Sequence, residues 1–256
     1  MPAKPKSKSN GGAIRVGIGG WTFEPWRGGA FYPKDLSQKR ELEFASSKLS
    51  SIEINGTYYS TFKPPSWIKW REETPKDFVF AVKASRFCTN RKELGAAGES
   101  VERFINQGLH ELGDKLGPIN WQFMGTKKFD PVDFEAFLKL LPREIKGVPL
   151  RHAMEVRNET FNSEAFFDLC RKYKAGIVYA HDENFPEIDV ATTDFTYARL
   201  MQSQEDVATG YAPKALDGWA KKAKDWAKAG DAFVYFISGA KVRNPAAAQA
   251  LIERVA

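Results

Sequence analysis

Four segments decide the fold: SIEINGTYY (51–59), FVFAVKA (78–84), RHAMEVR (151–157) and FTYARLM (195–201). Side chains alternate faces along a strand. Glu53 and Asn55 therefore share a face opposite Ile52 and Ile54, and Lys83 lies opposite Phe80 and Val82. Glu155 and Arg157 share a face opposite Met154 and Val156, and Arg199 opposes Leu200. An isolated ionised side chain is costly to bury, so charges on buried strands are paired or line a wet pocket. Several strands delivering charge near their C-terminal ends suggest a barrel interior that opens into a site.

The flanking sequence alternates strand and helix patterns. IRVGIGGW (14–21) reads as the first strand, followed by helical spacing over 38–49 through Leu42, Phe44, Ala45 and Leu49. A helix at about 66–73 is expected to open at Ser66, and another near 100–112 to be capped by Ser100. LGPINWQF (116–123), AGIVYAH (175–181) and DAFVYFIS (231–238) complete the strands. Further helices are predicted from Pro131 and over 163–173, 214–229 and 245–255. Residues 182–194 (DENFPEIDVATTD) show no helical period. The pattern predicts an α/β fold, a single (β/α)₈ TIM barrel over residues 13–256 with the sixth helix reduced or missing. An open doubly wound sheet is the competing arrangement, though eight similar strands with polar inner ends fit it less naturally.

Composition agrees with this size class. The chain has 256 residues, 43% hydrophobic and 13% aromatic, enough for a large core, and a net charge of +6. That charge leans toward anionic ligands or weak nucleic-acid contact without showing either. Cys88 and Cys170 supply no framework for disulfides or zinc and read as free thiols of a reducing compartment. No apolar run approaches the roughly 18 residues of a membrane span. The opening MPAKPKSKSNGG (1–12) is basic, lacks the apolar stretch of a secretory signal, and reads as a disordered tail of a cytoplasmic protein.

VGIGGWTFEPWRGGAFYP, SIEINGTYYSTF, FVFAVKASRF, LGPINWQF, AMEVRNETF, TYARL and VYFISGA occur in this order from about Ile14 to about Arg243. Together they resemble the YecE-like family, a domain of unknown function, number 72. The resemblance implies a TIM barrel and no particular activity. The chain departs from the family pattern at three rim positions. Met201-Gln202 stand where His-Gly is common after TYARL, Ile237-Ser238-Gly239 where Asn-Asn-Asp is common, and Asn90 where a His commonly follows Thr89.

Glu53 and Glu155 are the carboxylates on inferred inward faces near strand ends. Two such groups flanking a scissile bond serve glycoside hydrolysis, as acid and as nucleophile or base. The bland alternative pairs Glu53 with Lys83, and Glu155 with Arg157 or Arg199. Lys83 in an apolar barrel is a candidate base or Schiff-base nucleophile, with structural pairing the commoner use of such a residue. Arg157 and Arg199 suit bidentate recognition of carboxylate or phosphate. Trp21 and Tyr59 at strand ends are candidate stacking surfaces, joined by Asn55 and Gln122, whereas Trp121 reads as core. GIGG (17–20) lacks the spacing of a phosphate loop and fits a tight barrel layer better. His110, His152 and His181 show no metal-ligand spacing, and His152 is predicted outward. The basic face of KALDGWAKKAKDWAKAG (214–230) reads as a solvated helix.

The expected activity is therefore metal-independent and cofactor-free. Acid–base chemistry, hydrolysis or isomerisation, would act on a small polar molecule, anionic or sugar-like, through Glu53, Lys83 and Glu155. The alternative is a non-catalytic barrel that binds a ligand or nucleic acid. Nothing in the sequence fixes an oligomeric state.

Overall fold

The computed structural model describes residues 11–256, so residues 1–10 of the expected tail lie outside the described residues. Gly12 is anchored, its N–H donating to the Ala227 carbonyl at 2.7 Å. The barrel strands are β1 (Ile14–Gly19), β2 (Ser51–Ile54), β3 (Val79–Lys83), β4 (Leu116–Gln122), β5 (His152–Glu155), β6 (Gly176–His181), β7 (Phe195–Leu200) and β8 (Asp231–Phe236). They pair in parallel into a closed barrel, with β8 bonded back to β1. The chain is thus a (β/α)₈ barrel, not an open sheet.

Alternation divides the core in two. Inward-facing Ala81, Ala153, Val178, Ala180, Tyr197, Phe233 and Tyr235 fill the barrel. Outward-facing Ile52, Ile54, Phe80, Val82, Trp121, Met154 and Leu200 pack under the helical shell. Gly17 belongs to the tight interior. A Cβ there would stand 1.8 Å from the Ser51 carbonyl oxygen, so only glycine lets β1 and β2 approach this closely.

The α-helices are α1 (Glu41–Lys48), α2 (Pro64–Glu72), α3 (Arg86–Thr89), α4 (Gly98–Ile105), α5 (Pro131–Lys139), α6 (Glu164–Lys172), α7 (Pro213–Trp226) and α8 (Asn244–Val255). Two starts differ from expectation. α2 opens at Pro64, because proline's fixed φ suits the first helical position. α4 opens at Gly98, and Ser100 instead accepts from the Arg91 guanidinium at 3.1 Å. The helix expected to reach 112 stops at Ile105. Gly108, at φ +127, turns the chain into a 3₁₀ stretch (Leu109–Lys115), and a Cβ there would meet Trp67 at 2.6 Å.

Residues 182–194 form no helix, as expected. They strap the outer face of β6 instead. Glu187 accepts from the Tyr179 hydroxyl and contacts His181 Nδ1 at 3.1 Å, and Thr192 donates to the Ala175 carbonyl. Polar contacts here replace the apolar stripe of a helix.

His152 faces outward into the shell, as its phase predicts. It is buried between Trp121 Nε1 at 3.0 Å and the Pro142 carbonyl at 2.7 Å, an arrangement that suits the neutral ring. Burial lowers it to about 4. The neutral form is favoured in the fold, so this stabilisation is complete above the unfolded value near 6.5 and is lost as pH falls through 4. The full effect is worth about 3 kcal/mol. Urea midpoints of the wild type should therefore fall between pH 6.5 and 4.5, and His152→Gln should flatten that slope. An unchanged slope in the variant would remove His152 as its source.

Candidate functional site

Parallel register sets the strand ends side by side. Glu53 on β2 is level with Ala81 on β3, Lys83 with Asn120 on β4, and Gln122 with Glu155 on β5. Arg199 on β7 is level with Ala180 on β6 and Tyr235 on β8. The inward polar residues thereby meet in the upper layers of the barrel.

At their centre one guanidinium ties two carboxylates together. Arg199 Nη1 donates to both oxygens of Glu155 at 2.7 and 2.8 Å, and its Nη2 donates to Glu53 Oε1 at 3.1 Å. All three side chains are essentially sealed from solvent, the two carboxylates at 0% exposure. Asn120 Nδ2 donates to Glu155 Oε2 at 2.8 Å and to Glu53 Oε2 at 3.3 Å. The Tyr197 hydroxyl donates to Glu53 Oε2. Arg157 Nη2 reaches Glu155 Oε1 at 2.6 Å and Gln122 Oε1 at 2.8 Å, with its guanidinium 4.3 Å from the centre of the Phe185 ring. Arg199 Nε is buried without a protein acceptor.

The electrostatics follow from these partners. Burial pushes the Glu155 carboxyl up, but Arg199, then Arg157 and Lys83, outweigh it and hold the group at about 2. Burial also works to lower the Arg199 guanidinium, and Glu155 and Glu53 overcome it and raise the group. Burial, reinforced by Glu53, lifts Tyr197 well above the usual phenol range, so it remains a donor. Lys83 differs from the others. No described side chain forms an ion pair or hydrogen bond with its Nζ, which sits 4.5 Å over the Tyr58 ring. Burial, then Arg199, lowers it to about 8 against the opposing pull of Glu53 and Glu155. The expected Glu53–Lys83 pair is thus replaced by Glu53–Arg199, because the fork of Arg199 spans both acids and leaves neither oxygen pair for the lysine.

Above this layer opens a cavity of about 560 Å³ at the C-terminal end of the strands. Trp21, Asn55, Tyr59, Lys83, Gln122, Arg157 and Arg199 all line it, and Glu53 and Glu155 lie beneath its floor. Trp21 is braced edge-on by Trp70 at 5.3 Å, while Tyr59 stands 65% exposed at the rim. Gly19 leaves room for Asn55, whose Nδ2 would lie 2.6 Å from a Cβ at that position. Three further contributors escaped the sequence reading. Asn120 and Tyr197 lie two residues before Gln122 and Arg199, so the same alternation would have found them. Lys241, after β8, carries no strand signal; its Nζ lies 4.2 Å over the Phe23 ring, and burial lowers it. Of the altered rim positions, Ile237 and Ser238 line the cavity and Asn90 donates to the Tyr58 hydroxyl at 3.1 Å. Met201 is buried, and Gln202 faces a separate groove. Among the described residues, no three His, Cys, Asp or Glu side chains are grouped as a metal ion would require.

Breaking the central tie should cost more than any single surface contact. Arg199→Met leaves two buried carboxylates facing one another, and should destabilise the fold by about 3–5 kcal/mol at pH 7. The penalty should shrink at pH 5, because acids without their cation take up protons more readily. Arg199→Lys should fall between. Equal urea midpoints for wild type and Arg199→Met would show that the tie is not structural.

Comparison with known proteins places this architecture. The family model described as "Protein of unknown function DUF72" matches residues 15–256. UPF0759 protein YunF of Bacillus subtilis (strain 168) is 24% identical over 163 residues, covering 60% of this chain and 54% of that protein. UPF0759 protein YecE of Escherichia coli (strain K12) is 28% identical over 144 residues, covering 54% and 48%. The chain thus matches about half the length of these curated relatives. A DUF72 family crystal structure from Thermotoga maritima MSB8 superposes with a TM-score of 0.73 at 22% identity, covering 94% of this chain and 97% of the other. One from Enterococcus faecalis V583 gives 0.71 at 16%, covering 94% and 95%. At those identities the likeness concerns the fold. The family match spans the whole barrel, and the chain belongs to the DUF72 family.

Proposed function

We propose that the barrel mouth binds a small anionic, sugar-like molecule and acts on it by acid–base chemistry, hydrolysis or isomerisation, with Lys83 as the proton-transfer group. One observation carries this reading. The cavity wall presents Lys83, Arg157, Arg199 and Lys241, while the neutralising carboxylates Glu53 and Glu155 are sealed below it. A ligand at the mouth therefore meets a positive field inside low-dielectric walls. Trp21 and Tyr59 offer flat apolar faces, and Asn55 and Gln122 supply amides for hydroxyl groups.

The division of labour follows from proton affinity. Glu155, held at about 2 by two guanidiniums, is a poor proton acceptor near neutrality. With Glu53 it holds Arg199 in the cavity floor, and it steadies Arg157 at the wall. Lys83, near 8, exchanges a proton readily at neutral pH.

Calorimetric titration with inorganic phosphate and with a sugar phosphate tests the site. Saturable binding is expected, weakened roughly tenfold or more in Arg157→Ala and in Lys241→Ala, since each removes a charge-assisted contact. Far-ultraviolet circular dichroism should be unchanged in both variants. No binding of either anion, together with duplex DNA binding that falls steeply with added salt, would favour a nucleic-acid surface instead.

A further inference from the structure

We infer that Lys83 is a nucleophile that forms an imine with the carbonyl carbon of a sugar-phosphate-like substrate, an inference that rests on the anion-binding reading above. Three geometric facts support it. The two acids that would neutralise a lysine in this layer are engaged by Arg199 and Arg157, so Lys83 Nζ keeps no ion-pair partner among the described residues. Nζ lines the cavity from a strand, not a loop, 4.5 Å from the centre of the Tyr58 ring. A π face there suits a cationic iminium. Arg157, 21% exposed, and Lys241 line the same cavity and offer cationic contacts for a phosphate.

The step balances without any oxidant or reductant. The neutral amine attacks the carbonyl carbon, an N–C bond forms, and the C=O π electrons pass to oxygen. That oxygen takes one proton as Nζ gives up another, through water at the open mouth, to yield a carbinolamine. A second proton lets the hydroxyl leave as water while the nitrogen lone pair closes the C=N bond. Amine, carbonyl and one proton thus become iminium and water. The iminium then draws electrons from the adjacent C–H, so that proton can pass to water at the open mouth and leave an enamine, the intermediate an isomerisation needs; Lys83 acts in that chemistry as the nucleophile and not as the proton-transfer group. The lowered proton affinity of Lys83, about 8 against an ordinary 10.5, supplies roughly three hundredfold more neutral amine at neutral pH.

Reductive trapping tests this on the full chain. The protein is incubated with dihydroxyacetone phosphate and cyanoborohydride, with pyruvate as a carboxylate probe, and adducts are mapped by peptide mass spectrometry. Lys83 should be labelled at least about tenfold faster than any other lysine, with a rate that rises through pH 8 and falls when inorganic phosphate competes. Lys83→Arg should lose that adduct and still bind phosphate. If labelling spreads over surface lysines while calorimetry shows phosphate bound, the imine inference fails and the anion site stands. If Lys83 is trapped selectively with no phosphate binding and no protection, the nucleophile stands and the anion reading fails. If neither occurs, both are overturned. The wild-type map decides even where a variant does not fold.

Discussion

One guanidinium between two carboxylates organises this molecule. Arg199 bridges Glu53 and Glu155 within a barrel whose other inward positions include Ala81, Ala153, Val178, Tyr197 and Tyr235. A cation and two anions out of water are tolerable only when nearly every donor and acceptor is used. Asn120, Tyr197, Gln122 and Arg157 complete that set. Apolar side chains of similar volume could have filled the same layer at comparable stability. The polar solution fixes instead which strands meet which, and where positive charge emerges.

The geometry of the tie also decides what remains outside it. A planar fork engages two carboxylates at once, whereas an ammonium is a point charge on a flexible stem. Arg199 therefore takes the acids and Lys83 does not. The lysine is left above the tie with like charge on one side and an aromatic face on the other. A structural ion-pair network below thus produces a chemically unsatisfied amine above, and the two parts of the polar cluster separate into support and mouth.

Much of this was legible in the sequence because it depends on a period of two. Alternation along four strands placed Glu53, Lys83, Glu155 and Arg199 inside the barrel, and the same rule placed His152 and Trp121 outside. Partner choice was not legible, since it depends on register between strands and on side-chain reach. Glu53 is 146 residues from Arg199 in the chain, and only barrel closure brings them to 3.1 Å. Asn120 and Tyr197 escaped because they lie two residues deeper than the strand ends, although their phase is the same. Lys241 lies on a connection after β8, where no periodicity constrains direction. Helix starts at Pro64 and Gly98 were misplaced for a local reason: hydroxyl residues compete as caps, while the chain satisfied Ser100 through Arg91.

The altered rim positions acquire a physical meaning from this layering. Ile237 and Ser238 line the cavity from the end of β8, and Asn90 braces Tyr58 from the loop after β3, yet neither loop contributes a charge to the central tie. Of the cations around the cavity, Lys83, Arg157 and Arg199 are held by strands and their immediate ends, and Lys241 by the connection after β8. Asn90, Ile237 and Ser238 therefore bear on the shape and hydrogen bonding of the cavity rim and leave the central tie untouched. A barrel built this way can change what it recognises without disturbing what holds it together. Likeness in fold across the DUF72 relatives accordingly carries over the scaffold and leaves the ligand to be read from each member's own rim.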